Sequence, residues 1–257
     1  MKKLIAFDLD GTLAESKSPA EDRIIELLNR LLDNFQVCVI SGGKFEQFKI
    51  QLLSNLKCSP EKLVKLHLMP TCGTQYYTFD SVKADWQQVY AENFTEEQKT
   101  KITKVVAAKV EELGFDKQET YGEQIEDRGS QVSWSAFGQD IVTQLGLEGV
   151  RRKEEWDPDH SKKTRLREAI AAQIPEFEVR TGGGTTIDIT KPGIDKAYGM
   201  QKLMNELSIG KQDILFLGDK LQEGGNDYPV KAMGIDSIEV SHWRDTANVL
   251  QGILHIL

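Results

Sequence analysis

Leu4-Ile5-Ala6-Phe7-Asp8-Leu9-Asp10-Gly11-Thr12-Leu13 is the stretch on which the reading of this chain turns. Its apolar run predicts a strand buried on both faces of a parallel sheet. Two carboxylates stand at the C-terminal end of that strand, where open α/β sheets carry their ligands. In extended backbone, residues i and i+2 point to the same side, so Asp8 and Asp10 can serve one site. Like charges that close need a cation or a shared proton. Gly11 lets the chain turn sharply, and Thr12 adds a hydroxyl and a backbone N–H. Alone, the pair reads first as an Asx turn closing a strand. It becomes a site only if the rest of the chain supplies a cation for it and groups to hold an anion.

Outward from this strand the pattern alternates. Ser18 as N-cap, Pro19 at N1 and Glu21 closing a capping box predict a helix start, and Ile24, Leu27, Leu28, Leu31 and Leu32 give it an apolar stripe. Val37-Cys38-Val39-Ile40 is a second buried strand, ending at Ser41-Gly42-Gly43, and a helix follows with Phe45, Phe48, Leu52, Leu53 and Leu56 inward. Strand, turn, helix, repeated, is the mark of a doubly wound sheet.

The rhythm then breaks. Thr95 with Gln98 forms a capping box for a helix that stops at Gly114, Gln118 to Glu126 and Gln131 to Phe137 read as two strands around the turn at Asp127-Arg128-Gly129-Ser130, and Phe177 to Arg180 reads as another strand. These predict an antiparallel α+β module inserted at a loop. Thr186 to Ile189 reads as the strand with which the core resumes. It is followed by a helix over Ile194 to Leu207, the buried strand Asp213 to Leu217 ending in Gly218-Asp219, and a terminal helix from Thr246 to Leu254. The fold class is therefore α/β: a doubly wound parallel-sheet (Rossmannoid) core over 1–82 and 185–257, with an inserted α+β cap over 83–184.

Bulk properties narrow the function. The chain has 257 residues, 39% hydrophobic and 28% charged, with a net charge of -8 from 40 acidic and 32 basic residues. No basic block stands out, which argues against nucleic acid as a partner. The start MKKLIAFDLDGT is too short and too acidic for a signal peptide, and no stretch is long enough to span a membrane. Cys38, Cys58 and Cys72 form no CxxC pair, so neither a disulfide framework nor a thiolate zinc site is indicated and a cytoplasmic setting fits. The histidines His67, His160, His242 and His255 have no metal-ligand spacing.

Each core strand ends in something polar, and these ends can converge. Asp8, Asp10 and Asp219 offer hard oxygens suited to Mg²⁺, a cation that binds together with substrate phosphate. Asp8 is then the nucleophile that takes a phosphoryl group, and Asp10 the general acid and base. Ser41 and Lys196 hold the phosphoryl oxygens, helped by backbone N–H groups at Gly42 and Gly43. Asp227 reads equally as a helix cap or as an outer support for the site, with Asn226 beside it. The run Gly182-Gly183-Gly184 lacks P-loop spacing and reads as a hinge or a return between strands.

Together, DLDGT, the serine closing the second strand, the lysine after the insertion and the GDK…GGND stretch resemble the four motifs of the haloacid dehalogenase superfamily, whose members are Mg²⁺-dependent phosphotransferases. An insertion between the second and third motifs resembles their type IIB cap. The closer likeness is to the eukaryotic-type phosphomannomutase family, in FLGDKLQEGGNDYPV, DITKPGIDKAYGM and EDRGS…SAFGQ. That resemblance implies Asp8 as nucleophile, Asp10 as acid and base, Asp219 and the Asp10 backbone carbonyl as magnesium ligands, and Asp227 as outer support. It also implies contacts to a sugar phosphate from Arg128, Thr186 and Asp188, with Lys17 standing where the family has an arginine. Gln139 replaces a second cap arginine, and Arg151 and Arg152 align in no certain register. Losing a bidentate arginine removes a charge-assisted contact worth roughly 1.5–3 kcal/mol. A mutase needs that second phosphate grip and a phosphatase does not. Hydrolysis of a sugar phosphate or similar small phosphomonoester is accordingly favoured, followed by interconversion of hexose 1- and 6-phosphates through a bisphosphate, then by a catalytically idle binding module. Dimerisation through the cap is left open.

Overall fold

The computed structural model describes residues 2–256. Its contacts divide the chain into two compact units, Met1–Ala91 with Asp195–Leu257, and Glu92–Ile194. The first stretch carries β1 (Leu4–Phe7), α1 (Asp22–Asn34), β2 (Gln36–Ile40), α2 (Phe45–Phe48), α3 (Pro60–Leu63), β3 (Leu66–Met69), β4 (Gln75–Asp80) and β5 (Asp85–Ala91). The second unit carries α4 (Glu96–Glu112), β6 (Ile125–Asp127), β7 (Gln131–Ser135), α5 (Ile141–Leu145), α6 (Leu147–Trp156), α7 (Ser161–Ala171), β8 (Glu178–Thr181) and β9 (Thr186–Thr190). The chain then completes the first unit with α8 (Lys196–Leu207), β10 (Ile214–Gly218), α9 (Tyr228–Ala232), β11 (Asp236–Glu239) and α10 (Trp243–His255).

The first unit is a seven-stranded sheet in the order β11-β10-β1-β2-β3-β4-β5. It is parallel from β11 to β3, and β1 lies between β10 and β2 with Phe7 level with both Leu217 and Val39. Because β1 is buried on both sides, its alternate residues enter different cores. Ile5 and Phe7 pack with Leu28, Leu31 and Leu250 on one face, whereas Leu4 and Ala6 pack with Met200, Leu203 and Phe216 on the other. This is the doubly wound arrangement, and it leaves the loops after β1, β2 and β10 at one edge of the sheet.

Several local expectations are corrected. α1 starts at Asp22 with Glu21 as a cap that makes no side-chain hydrogen bond, so Ser18 is not its N-cap. The helix after β2 changes hydrogen-bonding pattern at Lys49–Leu53, a π turn closed by the Ser54 N–H on the Lys49 carbonyl at 2.9 Å. β4 and β5 form an antiparallel hairpin that extends the first sheet, so the chain leaves this unit after Ala91 rather than at 82. At the other boundary, Thr186–Thr190 is not a core strand. It pairs antiparallel with β7 and β8 in a separate four-stranded sheet, β6-β7-β9-β8, and the first unit resumes at Asp195 instead of 185.

In the second unit the expected capping box holds: Thr95 Oγ1 accepts from the Gln98 N–H at 3.2 Å, and Gln98 Oε1 accepts from the Thr95 N–H at 2.9 Å. Of the strand expected over Gln118 to Glu126, only Ile125 and Glu126 pair, in a strand that runs on to Asp127. The sheet packs Val132, Trp134, Ile187 and Ile189 against Ile102, Val106, Leu166 and Ile170. Its other face carries Gln131, Ser133, Asp188 and Arg180, which share that face through the register of β7, β8 and β9. No helix among the described residues is long and apolar enough to cross a membrane.

One buried histidine makes the first unit sensitive to acid. His67 Nε2 lies 2.9 Å from Gln36 Oε1 and Nδ1 lies 2.8 Å from the Tyr76 hydroxyl. Gln36 Oε1 can only accept, so Nε2 carries the proton and Nδ1 accepts from Tyr76. Burial pushes the imidazolium pKa down to about 4. A depressed folded value means stability that is present above the unfolded value near 6.5 and is lost as pH falls toward 4. Urea unfolding at about pH 7 and pH 4 should show the wild type losing up to about 3 kcal/mol more than a His67→Gln variant. Equal losses in the two proteins would remove His67 from this role.

Candidate active site

The loop after β1 is built around Gly11. Its φ is +83°, a conformation that L side chains rarely adopt. A Cβ there would lie 2.6 Å from Asp219 Oδ2, so a glycine is what lets the loops after β1 and β10 meet. Thr246 on α10 fastens the same loop by donating its hydroxyl to the Thr12 carbonyl at 2.7 Å.

Parallel pairing then brings the strand ends together. Asp8 follows β1, is 3% exposed, and its N–H donates to the Leu217 carbonyl at 3.0 Å. Lys196, the first residue of α8, is 1% exposed. Its ammonium donates to Asp8 Oδ1 and, at 2.5 Å, to Asp227 Oδ1. Asp227 is completely buried and its second oxygen accepts the Lys220 N–H at 3.0 Å. The reading of Asp227 as a cap of α9 is corrected: no side-chain cap bond is made, and the carboxylate turns to Lys196. Asn226 beside it is exposed.

Asp8, Asp219 and Asp227 each present an oxygen within 4.8 Å of the others, with one buried ammonium among them. Burial pushes the Asp8 carboxyl up from its ordinary range; the Lys196 charge opposes this, while Asp227 and Asp219 add to it. Burial would lower the Lys196 pKa, but Asp227 and Asp8 outweigh it and hold the ammonium charged well above the usual lysine range. Asp219 is also raised, first by desolvation. Its Oδ1 is buried with no hydrogen-bond partner among the described residues. Hard oxygens at this spacing, one of them unpaired, fit a small divalent cation. The Asp10 carboxylate lies outside this cluster.

Asp10 instead accepts the Lys17 N–H at 2.8 Å and Gln51 Nε2 at 3.0 Å on one oxygen, and Gln47 Nε2 at 2.9 Å on the other. Lys17 thus meets Asp10 through its backbone, at a φ of +56°. Gln47 and Gln51 escaped the sequence reading; Gln51 sits three residues after Phe48 on the buried side of the helix, which was the only signal available. Ser41 is 4% exposed after β2, its hydroxyl accepting the Gly43 N–H at 3.2 Å. The Gly43 N–H is therefore committed inside the turn. Thr71 and Cys72, both at positive φ, brace that turn from the loop after β3 through bonds to the Gly43 and Ser41 carbonyls at 3.0 and 2.9 Å.

The remaining expected residues lie in the second unit. Asp188 accepts from Ser133 and, at 2.9 Å, from Gln131, and burial raises its carboxyl against the pull of Arg128. Arg128 donates to Glu126 at 2.7 Å and to Gln139 Oε1 at 3.2 Å. Thr186 heads the strand that carries Asp188. Arg151 and Arg152 lie on α6, bonded to Glu148, Glu155 and Glu119.

A family profile described as haloacid dehalogenase-like hydrolase matches residues 5–229. The phosphomannomutase of Saccharomyces cerevisiae is 24% identical over 229 residues, covering 88% of this chain and 84% of its own. That of Babesia bovis is 25% identical over 263 residues, covering 99% and 98%. Among solved structures, a truncated, IMP-bound IMP-nucleotidase from Plasmodium falciparum matches with a TM-score of 0.68 at 17% identity, over 99% of this chain and 68% of that one. A haloacid dehalogenase-like hydrolase from Bacteroides thetaiotaomicron matches at 0.64 and 16% identity over 100% of both chains. At such identities the structural likeness concerns the fold.

Proposed function

The chain belongs to the haloacid dehalogenase-like hydrolase family, and on that premise we propose that it hydrolyses a sugar phosphate or similar small phosphomonoester through an aspartyl phosphate. It is an enzyme of the phosphatase or mutase type. The observation that carries the proposal is Lys196, buried between Asp8 and Asp227 beside the unpaired oxygen of Asp219.

In this reading an Asp8 oxygen attacks phosphorus while Lys196 anchors the carboxylate and keeps its other oxygen fixed. The bond to the leaving oxygen breaks with its electron pair, and that oxygen takes a proton from Asp10. Asp10 then accepts a proton from the water that attacks the intermediate, which releases phosphate and restores Asp8. Ser41 and the backbone of Gly42 support the phosphoryl oxygens. Asp8 and Asp219 are assigned to hold Mg²⁺, with the Asp10 carbonyl as the resemblance implies and Asp227 behind them. When bound, the cation supplies the charge neutralisation that lets a carboxylate approach a phosphoryl group. Substrate recognition is assigned to Arg128, Thr186 and Asp188.

Hydrolysis is favoured over the mutase reaction by the charge of the second unit. Its polar sheet face carries Glu126, Glu178 and Asp188 along with Arg128 and Arg180, and Arg128 is engaged by Glu126. A mutase has to grip a second phosphate strongly, and an arginine already neutralised by a carboxylate serves that poorly. The relatives described as phosphomannomutases make the mutase the second reading. Phosphorus NMR with Mg²⁺ and mannose 1-phosphate, with and without glucose 1,6-bisphosphate, separates the two. Growth of inorganic phosphate in both samples is expected. Bisphosphate-dependent conversion to the 6-phosphate would replace hydrolysis by the mutase reaction.

A further inference from the structure

Two glutamines grip Asp10, and the chemistry above uses neither. Gln47 Nε2 donates to Asp10 Oδ2 at 2.9 Å and Gln51 Nε2 to Oδ1 at 3.0 Å, so each carboxylate oxygen has its own amide. The orientation of Gln51 follows from its surroundings. Its amide nitrogen faces Asp10 Oδ1, the Glu15 carbonyl at 3.3 Å and the Ser18 carbonyl at 3.1 Å, all of them acceptors. Gln51 is completely buried and its Oε1 has no hydrogen-bond partner among the described residues. Burying an amide with one end unsatisfied is costly, and the structure accepts that cost where it fixes Asp10.

The backbone is also arranged for these two side chains. Gln47 lies in α2 and Gln51 in the π turn at Lys49–Leu53 that follows it. Such a turn widens the helix by one residue, changes the face on which later side chains project, and recurs at functional sites. Gly43 leaves room for Gln47, since a Cβ there would lie 2.2 Å from Gln47 Oε1.

We propose that Gln47 and Gln51 are positioning residues that hold the Asp10 carboxylate in the orientation from which it exchanges protons during phosphoryl transfer. The proposal rests on the reading of Asp10 as the acid and base. Amides suit the task because they donate to a carboxylate without titrating themselves.

The test compares leaving groups. An alkyl phosphate must have its leaving oxygen protonated, whereas nitrophenolate departs without a proton. In the wild type, Gln47→Leu and Asp10→Asn, kcat/KM is measured with a sugar phosphate and with p-nitrophenyl phosphate, each with Mg²⁺. Gln47→Leu should lose about 10- to 100-fold on the sugar phosphate and under about threefold on the nitrophenyl ester, with KM nearly unchanged. Asp10→Asn should show the same split, larger. Gln47 is only half-buried, so this variant tests the idea even if Gln51→Leu fails to fold. Equal losses on both esters, or no loss on either, in a Gln47→Leu protein beside a split in Asp10→Asn would overturn the positioning role alone. No split in Asp10→Asn would overturn the reading of Asp10, and the positioning role would fall with it.

Discussion

Asp8→Asn is expected to lower turnover by about four orders of magnitude or more while the protein stays folded. A group that forms the covalent intermediate has no substitute in the site, and what survives its removal is binding and charge stabilisation. The same substitution should leave the protein at least as stable as the wild type when no divalent cation is present. Asp8 and Asp227 are buried and share the ammonium of Lys196, with Asp219 beside them, so one carboxylate fewer relieves repulsion. The sign with pH follows from the raised Asp8 carboxyl. A carboxyl raised on folding contributes stability that is complete below its ordinary value and is lost as pH climbs through the folded value. In EDTA the stability of Asp8→Asn relative to the wild type should therefore grow from about pH 4.5 to pH 8, a comparison in which His67 contributes equally to both proteins. A variant that keeps a tenth of its activity, or one that melts well below the wild type in EDTA, would contradict this.

Lys196→Met carries the other large effect. It leaves Asp8 and Asp227, 3% and 0% exposed, without their shared cation. Breaking a buried ion pair by removing one partner costs about 3–5 kcal/mol. Activity should fall with it, because the Asp8 carboxylate loses the ammonium that holds it. Lys196→Arg should not restore either property, since a planar fork cannot occupy the space of a compact ammonium bonded to two carboxylates. The raised lysine value means that the lysine's own share of this stabilisation is complete below the ordinary lysine pKa and declines only in strong alkali. Urea unfolding of the three proteins measures the cost. A Met variant within about 1 kcal/mol of the wild type would show that Lys196 does not hold the site together.

The parts of this fold that rest on continuous apolar runs were legible from the sequence. β1, β2 and β10 are each buried on both faces, and runs such as Leu4 to Phe7 have no other economical placement in a chain of this composition. Asp8, Asp10, Ser41 and Asp219 follow from those strand ends, because parallel pairing puts all such ends on one edge. β9 was misassigned for a physical reason. Thr186-Ile187-Asp188-Ile189 alternates polar and apolar, the pattern of an antiparallel strand with one open face, yet its position just before a helix suggested a resumption of the parallel core. The alternation was the better guide. Gln118 to Glu126 lacks a run of strand-forming residues, and only its last part pairs as a strand with β7, while Tyr121 to Gln124 meet residues 135–140 through loop hydrogen bonds.

The glutamines were invisible for a different reason. Glutamine is usually exposed, and no spacing rule distinguishes one that folds back onto a carboxylate. Their convergence depends on a π turn that no local preference announces. Asp227 shows the intermediate case. Its motif placed it near the site, but only the return of the chain through the Asp227 N–H to the Lys220 carbonyl at 3.2 Å turns its carboxylate onto Lys196.

The most direct measurement of the central claim is chemical trapping of the acylphosphate. The full-length protein is mixed with Mg²⁺ and a turning-over phosphate ester, quenched in acid, reduced with borohydride, and the peptide containing β1 is sequenced by mass spectrometry. Reduction converts a phosphorylated aspartate to homoserine and leaves a free carboxylate intact. Homoserine at position 8, with Asp10 unchanged and no conversion without substrate, is the expected result. Substrate-dependent conversion at Asp10 or Asp219, or turnover with no converted aspartate, would contradict it.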